Sequence, residues 1–144
     1  MNLNAAFARP PLVLLVDPVV ASRHWMWRAM SQAFGVLEAS TAHSARHWMA
    51  RRPDIDALVV QDELPDERGH ELVGELLSER HPLAQRSIVL ARPSPDWGRI
   101  AQEGLTLIER GDLRALLAKL ASWSLVRDAG LARALQREAD RLGS

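Results

Sequence analysis

Three short, unbroken apolar runs dominate the chain: Leu12-Val13-Leu14-Leu15-Val16, Ala57-Leu58-Val59-Val60 and Ser87-Ile88-Val89-Leu90-Ala91. Runs of this length without polar alternation suit strands covered on both faces, as in a parallel sheet. Between them the spacing turns helical. Val19 to Phe34, with Trp27, Met30 and Phe34 on one face, is expected to be a helix stopped by Gly35. Ala42 to Arg51 is a second helix, ended by Pro53. His70 to Arg80 is a third, with Leu72, Val73, Leu76 and Leu77 as its stripe. Val36–Ala39 and Thr106–Ile108 are two weaker strands. Pro93-Ser94-Pro95 opens a short helix through Gln102, and a last helix runs from about Asp112 to Trp123.

Strands alternating with helices of about three turns imply βαβ units with right-handed crossovers. Five of them give a flavodoxin-like, doubly wound five-stranded parallel sheet with helices on both faces. The 144 residues suit one such domain, spanning 11–123. Residues 1–10 are expected to be a flexible N-terminal arm and 124–144 a C-terminal helical extension.

Several function classes are disfavoured. Acids and bases balance at 18 each, so no global field favours nucleic acid or an anionic membrane. Without cysteine there is no disulfide, thiolate metal site or thiol nucleophile, which fits a cytoplasmic protein. The N-terminus does not resemble a signal peptide, and the apolar runs are too short to span a bilayer. Nothing matches a phosphate-binding glycine loop, a Gly-x-Ser-x-Gly elbow or a dinucleotide fingerprint, so neither enzyme nor cofactor is expected. His43 and His47 stand one helical turn apart, but without a third ligand they are expected to be a surface pair, and no metal site is assigned. Trp25 and Trp27 are two apart and cannot share a helix face. One is expected outside the core, either at a contact surface or under neighbouring loops.

In open α/β sheets, function gathers at the carboxyl ends of the strands. Here those ends carry Asp17 after strand one, Gln61 after strand three, Ala91 after strand four and Glu109 after strand five. The segment Asp56-Ala57-Leu58-Val59-Val60-Gln61-Asp62-Glu63-Leu64-Pro65-Asp66-Glu67-Arg68-Gly69 resembles the response-regulator receiver family, in which the third strand ends on a phospho-acceptor aspartate, followed by a proline four residues on and a glycine four beyond that. Pro65 and Gly69 keep that spacing, and the hydrophobic Leu64 fits.

The resemblance implies a phosphorylation pocket, but the chain departs from it at each functional position. Gln61 stands where the acceptor is expected, and an amide is a poor nucleophile towards a phosphoryl donor. The acidic pair after strand one is Asp17-Pro18, leaving one carboxylate to anchor magnesium. Ala91 replaces the hydroxyl residue, and Glu109 replaces the lysine. The expectation is a non-phosphorylatable pseudo-receiver, a signalling module that works by protein–protein contact in or beside a two-component phosphorelay. The alternative is a divergent receiver that accepts phosphate on Asp62, the neighbouring acid; otherwise Asp62 is a solvated loop residue beside Glu63, Asp66 and Glu67.

The resemblance also implies a contact surface on the fourth helix, fifth strand and fifth helix. It would centre on Asp96, Trp97, Arg99, Thr106, Leu113, Leu116 and Leu120. In the C-terminal extension, Leu131, Leu135 and Leu142 with Ala134 and Ala139 form an apolar stripe. It either prolongs the fifth helix or forms a separate one broken near Gly130. Such a face needs a cover, and a homodimer contact is favoured. A histidine kinase or an output regulator is the other class of partner that the resemblance implies.

Overall fold

The computed structural model describes residues 10–123, together with Arg137 and residues 140–142. Residues 1–9 of the N-terminal arm, Leu131, Leu135 and most of the C-terminal extension therefore lie outside the described residues. The elements follow one another as β1 (Leu12–Val16), α1 (Val20–Met30), β2 (Gly35–Ala39), α2 (Ala42–Arg51), β3 (Ala57–Gln61) and α3 (Gly69–Ser78). A 3-10 turn (Pro82–Arg86), β4 (Ser87–Ala91), α4 (Trp97–Gln102), β5 (Thr106–Glu109) and α5 (Leu113–Ser122) complete the unit.

All strand pairs are parallel, in the order β2-β1-β3-β4-β5. This is the doubly wound, flavodoxin-like arrangement, and the order reverses between β1 and β3. The unbroken apolar runs are explained by what covers them. Every residue of β3 and β4 is buried. Successive side chains alternate between faces, so Val13, Leu15, Val59 and Leu90 pack with α1 and α5. Leu14, Val16, Leu58, Val60 and Val89 pack with α2, α3 and α4 on the other side.

The helices begin where caps are available. Thr41 and Ser44 form a reciprocal capping box at α2, and Asp112 accepts from the Ala115 amide at α5. α1 has no side-chain cap of its own. Instead the Asp17 carboxylate, at the end of β1, accepts from the Val19 amide at 2.8 Å.

One helix face differs from expectation. Met26, Ala29 and Met30 are the buried residues of α1, whereas Trp27 is 38% exposed and Trp25 43% exposed. Met26 and Met30 stand i, i+4 and take the inward stripe. Trp27, one residue on from Met26, is rotated off that stripe and stacks on His24 with ring centroids 5.8 Å apart. Leu113, Leu116 and Leu120 also depart from expectation. They are 3% exposed or less and face the sheet, so they belong to the core and not to a contact surface. Among the described residues, no helix is long and apolar enough to cross a membrane.

Candidate functional site at the strand ends

β1 and β3 run side by side, with Val16 opposite Val60. The residues that leave these two strands, Asp17 and Gln61, are therefore brought together across 44 positions of sequence. Both are buried, Asp17 fully and Gln61 to within 3%. The Gln61 amide nitrogen lies 3.4 Å from one Asp17 carboxylate oxygen, and the other oxygen takes the Val19 amide. Among the described residues no buried side-chain nitrogen or oxygen lacks a partner. An amide facing a carboxylate attracts it without a cation, whereas two facing carboxylates would repel unless a metal lay between them. Pro18 is half-buried beside it and offers no carboxylate.

Asp62 is not the solvated loop acid that its acidic neighbours suggest. It is 5% exposed, and both its oxygens are engaged. One takes the His70 amide at 2.9 Å and the His70 ring Nδ1 at 2.6 Å. The other takes two nitrogens of the Arg68 guanidinium. Burial pushes this carboxyl up, but the amide and ring of His70 and the Arg68 guanidinium outweigh that and hold it below the usual aspartate range.

Backbone crowding fixes the arrangement. Gly69 donates its amide to the Asp62 carbonyl at 2.8 Å. A Cβ at Gly69 would collide with the Gln61 carbonyl oxygen and stand 3.0 Å from the Asp62 Cα. Glycine is needed here so that α3 can start against the end of β3.

The rest of this loop is tied to a different helix. The two oxygens of Asp66 accept from the Ala42 and His43 amides, at 3.0 and 2.9 Å, at the N-terminus of α2. Those amide bonds, with the nearby Arg46 charge, hold the Asp66 carboxyl low despite the opposing effect of burial. Glu67 pairs with Arg46, which also reaches Glu75 on α3 at 2.7 Å. The acidic run therefore consists largely of caps and ion-pair partners.

At the other end of the rim, Ala91 and Glu109 are neighbours in the β4–β5 register. Ala91 is buried and carries no hydroxyl, and Glu109 is exposed. The next residue, Arg110, supplies the cation on this side, with its guanidinium 3.9 Å from Glu63. In sequence Arg110 carries no signal of this role, because it follows the position where the resemblance places a lysine. Between the loops after β3, β4 and β5 lies a cleft of about 220 Å³, lined among others by Asp62, Arg68, Arg92, Trp97 and Arg110. Of the expected contact residues, Asp96 and Arg99 are exposed, and Trp97 and Thr106 are half-buried.

No family model matches the sequence, and no curated protein matches it. Solved structures do. The response regulator receiver protein from Pseudomonas putida is 21% identical, with a TM-score of 0.68 over 80% of this chain and 98% of that one. The signal receiver domain of an HD domain-containing protein from Pseudomonas fluorescens Pf-5 is 22% identical, with a TM-score of 0.67 over 79% and 94%. The chain is also similar to the CheX-CheY-BeF3-Mg complex from Borrelia burgdorferi, at 17% identity and a TM-score of 0.65 over 83% and 92%. Strand order, connection and extent agree with these receivers, and the chain has the fold of a response-regulator receiver domain.

Proposed function

We propose that the chain is a non-phosphorylatable pseudo-receiver: a cytoplasmic signalling module, not a catalyst, that acts through protein–protein contacts in or beside a two-component system. The observation that carries this reading is Gln61. It stands at the end of β3, where the resemblance implies the acceptor, and its amide lies against the buried Asp17 carboxylate. An amide does not form a stable acyl phosphate, and a single carboxylate is a poor anchor for magnesium. Ala91 and Glu109 support the same reading, since neither stabilises charge on an incoming phosphoryl group. Asp62 supports it too, because Arg68 and His70 occupy both of its oxygens.

Partners would meet the exposed Asp96 and Arg99 with the half-buried Trp97 and Thr106. A kinase, an output regulator or a second copy of the chain fits this role. The test is an intact-mass spectrum after incubation with magnesium and acetyl phosphate. The expected result is an unmodified chain. A phosphoryl adduct mapping to Asp62 would overturn the reading and make this a divergent, working receiver.

A further inference from the structure

Arg68, Arg92 and Arg110 belong to loops that follow three different strands, yet they line one cleft. Arg99, from α4, is the fourth guanidinium on its wall, and the carboxylates there are Asp62, Glu63 and Asp96. These acids do not neutralise the cleft evenly. Asp62 is committed to Arg68 and His70, while Glu63 approaches Arg110 only to 3.9 Å. The Arg92 guanidinium has no carboxylate partner among the described residues. Arg99 is paired with Glu103 at 3.5 Å, so among the described residues Arg92 is the uncommitted cation, and a concave site with such a guanidinium and low-dielectric walls concentrates anions. Convergent guanidiniums suit phosphate in particular, because their planar forks donate in pairs to its oxygens.

The cleft also has an apolar side. Trp97 lines it half-buried, and Leu90, Ile100 and Leu107 line it too. An indole in that position offers a flat surface for a ring to stack on. The volume, about 220 Å³, falls below the roughly 300–1,000 Å³ of sites that enclose drug-sized ligands. It encloses a phosphate and one ring, so the sugar between them lies at its open side, and a dinucleotide does not fit.

We propose that this cleft, formed by the loops after β3, β4 and β5, binds a small organic phosphate that carries a planar ring, of the mononucleotide class. Arg92 and Arg110 hold the phosphate, and Trp97 takes the ring. Gln61 lines the same cleft, so the site adjoins the Asp17–Gln61 pair, and it binds its ligand without any phosphoryl transfer. It lies beside Asp96 and Arg99, so an occupant alters the surface offered to a protein partner.

The test is calorimetric titration of the full chain with the common ribonucleoside 5′-monophosphates, alongside the uncharged nucleosides and inorganic phosphate. At least one monophosphate is expected to bind saturably, in a salt-sensitive way, and at least about tenfold more tightly than its nucleoside or inorganic phosphate. Arg92→Ala and Arg110→Ala should each weaken it by about three- to tenfold. Trp97→Ala should remove the advantage over inorganic phosphate. Absence of saturable binding up to about 5 mM would overturn the proposal. So would equal affinity for nucleoside and nucleotide, or unchanged affinity in the Arg92→Ala, Arg110→Ala double variant. Because Arg92 is exposed and lacks a carboxylate partner, its loss does not confuse binding with folding.

Discussion

The rim of strand ends has two halves that treat charge in opposite ways. Around β1 and β3, Asp17 and Gln61 are buried against each other, and both Asp17 oxygens and the Gln61 amide nitrogen are engaged. Around β4 and β5, several arginines line an open cleft, and the Arg92 guanidinium has no carboxylate partner among the described residues. A buried cluster whose hydrogen bonds are complete has little affinity left for a ligand, because any newcomer must first replace bonds already made. An unbalanced concavity has affinity in reserve. Replacing one carboxylate by an amide thus does more than delete a nucleophile. It lets the first half close without a cation.

Four substitutions break or sharpen this contrast, in descending order of effect. Gly69→Ala acts at the seam between the halves, where a Cβ has no room beside the Gln61 carbonyl. It should cost about 2–4 kcal/mol in urea unfolding. Gln61→Asp returns a second carboxylate to the closed half, where the two charges repel in a buried place. A loss of about 1–3 kcal/mol is expected, with magnesium restoring part of the melting temperature in the variant and little in the parent. If magnesium stabilises both chains alike, the first half is not closed to cations.

Asp62→Asn should cost about 1–2 kcal/mol at neutral pH, and its pH dependence is diagnostic. The folded-state carboxyl lies below its usual value. Its stabilisation is therefore present above the unfolded value of about 3.9 and lost as pH falls through the lower folded value. Urea midpoints of parent and variant should converge as pH falls below about 4; a constant gap would show that Arg68 and His70 do not hold the charged form. Arg92→Ala, in the open half, should change stability by no more than about 0.5 kcal/mol. A larger loss would mean that the cleft is part of the fold's framework.

The sheet could be read from the sequence because its signals are local. Continuous apolar runs mark the strand positions, and the end of α2 follows from the approach of Pro53. Asp17 and Gln61 were also legible as a pair, since topology alone carries the ends of β1 and β3 together. Long-range polar contacts were not. Nothing near Asp66 indicates that it caps a helix 24 positions earlier, and nothing near Asp62 reveals that His70 and Arg68 fold back onto it. Arg110 is equally silent in sequence, as its importance arises from neighbours on two other loops. The leucines of α5 illustrate a different limit. An apolar helix stripe looks the same in sequence whether it covers the chain's own sheet or awaits a partner, and here it covers the sheet.

The bridge from Asp66 to the start of α2 has a kinetic consequence. Amides in the first turn of a helix usually trade their protons with solvent early, because nothing in the helix accepts from them. The Ala42 and His43 amides are instead held by a carboxylate on the β3–α3 loop. Deuterium uptake at these two positions therefore reports how often that loop lifts away, and it supplies a site-resolved clock for motion next to Asp62 in the unmodified chain.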